Sequence, residues 1–141
     1  MALPSSASTP IRTRGLTHIA LAVRDLDVSA TFYRHLLGAI EVYRGDTFAQ
    51  LQTPGTWDVI VLEVREPAGQ AGGVLHFGFR LIAPTDLPAA IAVVEAAGGT
   101  IVEHGEFVPG EPYLFAKDPD GYTIELWYEL PTPVDPPPDQ P

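Results

Sequence analysis

The chain has 141 residues, 45% of them apolar and 18% charged, with a formal charge of −10 and no cysteine. That size allows one compact domain or two half-domains over a shared core. Its eight basic residues are scattered through an acidic chain, so nucleic acid and anionic membranes are poor partners, and without thiols any metal must rest on His and carboxylate ligands.

Residues 1–13 are rich in Ser, Pro and Thr and are expected to form a disordered tail. They lack the basic start and apolar run of a signal peptide, and no apolar stretch reaches membrane-spanning length, so a cytoplasmic location is expected. The folded domain is expected over residues 14–130. In its first part, about 15–65, THIALAV alternates as a strand. Asp25 or Asp27 can then cap a helix carrying Val28, Phe32 and Leu36 and ending at Gly38. Three strand-like runs follow, over 39–43, 47–52 and 57–65.

The segment EPAGQAGG, residues 66–73, reads as a connector. The second part, about 74–129, repeats the order. VLHFGFRL is a strand, Thr85 or Asp86 with Pro88 opens a helix bearing Leu87, Ile91 and Val94, and Gly98 and Gly99 stop it. Residues 100–103, 113–117 and 122–128 are again strand-like, and His104 is expected in a surface loop. Residues 131–141, PTPVDPPPDQP, form a Pro-rich C-terminal tail.

The predicted class is therefore α+β, with two βαβββ modules. Side chains alternate faces along a strand. Ile19, Leu21 and Val23 suit the packed face, leaving His18 with small Ala20 and Ala22 on the other. In the second module Leu75, Phe77, Phe79 and Leu81 form the packed set, opposite His76, Gly78 and Arg80. In the last strand Glu125 shares its face with Thr123 and Trp127, opposite Ile124 and Leu126. The two histidines stand near the starts of their modules, and Glu63 and Glu125 near the ends, in what read as equivalent places. Two imidazoles and one or two carboxylates in that pattern can hold one divalent ion, Ni, Zn, Co, Mn or Fe(II), and leave positions open for substrate or water. Arg80, on the face of His76, could hold an anionic substrate, and Phe115 and Trp127 could wall its pocket. The DPDG sequence, residues 118–121, is a turn signal whose aspartates shape a hairpin.

GLTHIALAVRDLDVSATFYRHLLG at 15–38 and DPDGYTIELW at 118–127, with VLHFGF between them, resemble the opening and closing motifs of the vicinal-oxygen-chelate superfamily. That group includes glyoxalase I, extradiol dioxygenases, fosfomycin-resistance transferases and metal-free bleomycin-binding proteins. The resemblance implies a cupped mixed sheet made by the two modules, the glyoxalase/bleomycin resistance/dihydroxybiphenyl dioxygenase-like fold. It implies metal ligands at His18, His76 and Glu125, with Glu63 as the further ligand and proton-transfer base of glyoxalase I. It also implies a homodimer in which His18 and Glu63 of one chain meet His76 and Glu125 of the other.

The expected function is a glyoxalase I-like lyase or isomerase of a small molecule, with Glu63 or Glu125 removing a proton to form an enediolate. One alternative is an Fe(II)-dependent extradiol-type dioxygenase, although Phe115 stands where those enzymes carry a tyrosine. Another is a metal-free drug-sequestering protein of the bleomycin-resistance kind. A fosfomycin transferase would need basic residues to hold the phosphonate, and the loop EHGEFVPGEP has no Lys or Arg.

Overall fold

The computed structural model describes residues 11–69 and 72–137. Most of the expected N-terminal tail, Gln70 and Ala71 of the connector and the last four residues lie outside the described residues. The elements are β1 (His18–Val23), α1 (Leu26–Leu37), β2 (Ile40–Arg44), β3 (Phe48–Gln52), β4 (Val59–Val64), β5 (Phe77–Arg80), α2 (Leu87–Ala96), β6 (Thr100–Glu106), β7 (Pro112–Lys117) and β8 (Thr123–Trp127). The βαβββ order occurs twice, as the sequence predicts. The strands make two four-stranded mixed sheets, ordered β1-β4-β3-β2 and β5-β8-β7-β6. In each, the strand before the helix pairs in parallel with the last strand of its module.

Local chemistry explains the boundaries. Of the two candidate caps for α1, Asp25 is the one used: its carboxylate accepts the Val28 N–H at 3.0 Å. Gly38, at φ 67°, ends the helix and donates its N–H to the Arg34 carbonyl at 2.9 Å. A short 3-10 turn over Pro84–Asp86 precedes α2, which has no side-chain cap and carries Pro88 in its first turn, where a missing N–H costs nothing. Two expectations need correction. His104 lies within β6, opposite Leu114 on β7, because this hairpin is longer than the apolar pattern suggests. Leu75 is exposed rather than packed, because β5 begins only at Phe77.

One buried cluster joins both modules. Leu21 and Val23 of β1, Phe32 and Tyr33 of α1 and Ile60 and Leu62 of β4 pack with Val94 of α2, Leu114 of β7 and Ile124 and Leu126 of β8. The alternation expected for β1 and β8 is thus realised. Among the described residues no helix is long and apolar enough to cross a membrane.

The DPDG turn does more than shape a hairpin. Asp118 accepts the N–H groups of Asp120 and Tyr122, both at 2.9 Å, and the Tyr33 hydroxyl of α1. Asp120 reaches the first module too, accepting the Arg24 N–H at 2.9 Å and the Ser29 hydroxyl at 2.7 Å. Tyr122 donates its hydroxyl to the Ala22 carbonyl at 2.8 Å. Both aspartates are buried, so their hydrogen bonds offset a desolvation cost and fix how the modules meet.

Candidate metal centre

His76 directly precedes β5, and Glu125 sits in the middle of β8, opposite Gly78. Since β5 and β8 are parallel neighbours, both side chains leave the same face. His76 Nε2 comes within 3.3 Å of Glu125 Oε1. The edge of the His76 ring meets Phe115, with centroids 5.0 Å apart and planes at 74°. The glutamate side chain is only 12% exposed. Burial pushes its carboxyl above the usual range, partly countered by His76.

Glycine at 78 makes this pairing possible. A Cβ there would stand 2.8 Å from the Glu125 carbonyl oxygen, 3.0 Å from the Trp127 ring and 3.2 Å from the Glu125 Cβ. Gly78→Ala is therefore expected to cost about 1–3 kcal/mol in urea unfolding and to weaken metal binding, because the backbone under Glu125 must move.

The ladder in the first module revises the expected equivalence of the two glutamates. Gly78, two residues after His76, faces Glu125, whereas Ala20, two residues after His18, faces Val61. Glu63 lies opposite Ala22, and its counterpart in the second module is Trp127, opposite Arg80. Glu63 thus stands one side-chain step, about 7 Å, beyond the position equivalent to Glu125. Its carboxylate is 45% exposed and 3.2 Å from the Arg65 guanidinium. Among the described residues of the single chain, no three His, Asp or Glu side chains gather closely enough to hold a metal ion. The chain brings together His76 and Glu125, and leaves exposed His18 on the other module's sheet.

A cavity of about 550 Å³ opens on this pair, lined by His76, Glu125, Phe115, Trp127, Phe107, Glu111 and Glu129. Phe107 stacks on Tyr113 with centroids 4.0 Å apart. The expected wall residues Phe115 and Trp127 are both present. Phe107, Glu111 and Glu129 went unnoticed in the sequence because the β6–β7 hairpin brings the first two to the rim. A smaller cavity, about 210 Å³, borders the other side of His76 and includes Ala20 of β1.

Arg80 does not line either cavity. Its guanidinium holds Asp135 of the C-terminal segment through two parallel contacts of 3.0 Å, and also donates to the Glu129 carbonyl at 3.3 Å. The pairing raises the Arg80 pKa and draws the Asp135 carboxyl far below its usual range.

Known proteins resemble this chain along most of its length. Catechol-2,3-dioxygenase of Bacillus subtilis is 31% identical over 124 residues, 82% of this chain, which spans only 42% of that enzyme's length. A probable lactoylglutathione lyase of Vibrio parahaemolyticus is 32% identical over 79% of this chain and 88% of its own. The crystal structure of a glyoxylase/bleomycin resistance protein/dioxygenase domain from Frankia superposes with a TM-score of 0.70 at 29% identity, covering 84% of this chain and 94% of that one. Residues 15–126 match the model of the Glyoxalase/Bleomycin resistance protein/Dioxygenase superfamily, and the protein belongs to that family.

Proposed function

We propose that the protein is a metal-dependent enzyme acting on a small molecule through two adjacent oxygens, with a site completed in a homodimer. His76 and Glu125 of one chain would be joined by His18 of a second. The observation that carries this reading is the His76–Glu125 contact of 3.3 Å on an open, aromatic-walled cavity, with a third donor of matching position on the other module. Two imidazole nitrogens and one carboxylate oxygen suit Fe(II), Mn, Co, Ni or Zn and leave several coordination positions free. A divalent ion held there would supply Lewis-acid polarisation of neighbouring substrate oxygens.

The chain's own groups divide the remaining work. Phe115, Trp127 and Phe107 offer faces and edges to a flat substrate. Phe115 also braces the His76 ring and limits its rotation. Val61, at 8% exposure, puts an apolar wall where a fourth carboxylate would otherwise stand. This arrangement supports chemistry in which three protein ligands suffice, and an oxygen-dependent cleavage of a vicinal diol on a ring fits best. A second reading, glyoxalase-type isomerisation, is supported by Phe115, which sets an apolar ring against His76 at the place where a dioxygenase would use a phenol. In that reading Glu125 would be the proton-transfer base.

Two measurements decide between these readings. Oxygen uptake with Fe(II)-loaded protein and substituted catechols supports cleavage. Conversion of 2-oxoaldehyde thiol adducts without oxygen supports isomerisation. Glu63→Gln is expected to keep activity within about twofold, as for an exposed ion-paired surface group. Elemental analysis tests both enzyme readings against drug sequestration: protein that retains no metal after reconstitution argues for the latter.

The homodimer has its own test. His18→Ala and Glu125→Ala chains, each inactive alone, are expected to recover roughly a quarter of wild-type activity when unfolded and refolded together. Half the dimers formed would then be mixed, each with one intact site. No recovery in a mixture that demonstrably contains mixed dimers would place the ligands within one chain.

A further inference from the structure

The two sheets carry the same ladder, so positions around His76 have counterparts around His18. Strand order is β1-β4-β3-β2 in one sheet and β5-β8-β7-β6 in the other. Two residues after His76, the row across the second sheet reads Gly78, Glu125, Phe115 and Glu103. Two residues after His18, the row across the first reads Ala20, Val61, Gln50 and Tyr43. Residues directly opposite one another in a ladder share a face. Gln50 therefore stands to His18 as Phe115 stands to His76.

Its neighbours in β3 fix the direction of Gln50. Ala49 and Leu51 are buried in the core cluster, so alternation turns the half-buried glutamine to the opposite, open face. The second sheet shows how far this position reaches: from two strands away, the Phe115 ring centroid comes to 5.0 Å from that of His76. A glutamine amide lies about as far from its Cα as a phenyl ring centre does, which gives Gln50 the same reach towards His18. Its amide is also unoccupied. Gln52, next on the same face, gives its amide to the Thr56 carbonyl at 2.9 Å, and Glu63 holds Arg65. Among the described residues the Gln50 side chain has no hydrogen-bond partner, and Val61 and Ala20, between it and the edge of β1, have no polar side-chain atom to offer.

We propose that Gln50 is a substrate-binding residue of the metal centre, its amide N–H donating to a substrate oxygen from the side of the site that His18 supplies. Resting on the two-chain centre proposed above, this assignment names the substrate class: two vicinal oxygens for the metal, with a third, hydrogen-bond-accepting oxygen beside them. The two halves of the site divide recognition between them. The half from the second sheet is aromatic, through Phe107, Phe115 and Trp127, and takes the flat apolar edge. The half from the first sheet has one amide beside apolar Val61 and Ala20, and takes the third oxygen. A hydrocarbon group in that place strips water from the amide and returns no hydrogen bond, so it is disfavoured.

The test uses the full chain loaded with Zn(II), which binds catechols without oxidising them, and two probes of nearly equal shape. These are 3-methoxycatechol and 3-ethylcatechol, which set an ether oxygen against a methylene. Calorimetric titration of both into wild type and into Gln50→Met, which keeps the side-chain length and removes the amide, gives the coupling between oxygen and amide. The preference for the methoxy compound over the ethyl one is expected to fall about fivefold to tenfold in Gln50→Met, with Zn(II) affinity unchanged. Gln52→Met, the same change at an amide already engaged, should keep the wild-type preference. The assignment is overturned if Gln50→Met keeps that preference, if Gln52→Met lowers it equally, or if the Zn(II)-loaded protein binds neither catechol. Each of those outcomes leaves the metal centre standing, because Zn(II) binding is measured separately. Wild-type protein that takes up no Zn(II) would instead remove the metal centre, and this assignment with it.

Discussion

Glu125→Gln is expected to lower divalent-metal affinity by more than about a hundredfold, beyond the tenfold to hundredfold typical of losing a group that merely supports a ligand. Turnover should fall with it. The amide keeps the volume of the carboxylate and can still meet His76, 3.3 Å away, but it lacks the anionic oxygen that a hard divalent ion requires. The metal-free variant should unfold at the same urea concentration as wild type or a slightly higher one, because burial already disfavours the charged form of this carboxyl. Calorimetric metal titration and urea unfolding on one preparation separate the two effects. Unchanged metal affinity would remove Glu125 from the ligand set. His18→Ala should give a loss of similar size, although His18 sits on the other module's sheet.

The second large effect belongs to the DPDG turn. Asp120→Ala should destabilise the protein by about 3 kcal/mol, since it strands the Arg24 N–H and the buried Ser29 hydroxyl without their acceptor. Asp120→Asn should cost roughly half as much, because one oxygen still accepts the Arg24 N–H. Neighbouring Asp118 adds a pH dependence. Burial raises its carboxyl above the ordinary range, with the Tyr33 hydroxyl and two backbone N–H groups pulling the other way. Burial and the Asp118 charge in turn push the Tyr33 phenol well up. A carboxyl raised on folding binds its proton more tightly in the native state. Its stabilisation is complete below the unfolded pKa and is lost as pH climbs through the folded one. Asp118→Asn cannot titrate, so its stability relative to wild type should rise between about pH 3 and about pH 7. Urea midpoints across that range check the sign, and a flat or falling difference contradicts it.

Much of the fold was legible because its signals are local. Alternation in β1 and β8 separated Leu21, Val23, Ile124 and Leu126 from the His18 and Glu125 face. Asp25 and Gly38 bracketed α1 at the positions their chemistry favours. His76 and Glu125 could be paired because each stands in a motif with its own turn signals. Alternation also put Trp127 on the Glu125 face, and it and Phe115 both line the cavity beside that residue.

The sequence by itself determined the two βαβββ modules, their packed faces and the residue types able to hold a metal, since all of these follow from periodicity and short-range turn chemistry. Only the tertiary structure decided that Val61, and not Glu63, matches Glu125. The relative slide of two parallel strands joined through a helix and a hairpin is fixed by core packing, and counting residues between motifs cannot supply it. The same holds for Arg80, whose partner Asp135 lies 55 residues away, and for the aspartates of DPDG, which cross to the other module. Charges choose partners in space, and the chain's packing brings those partners together.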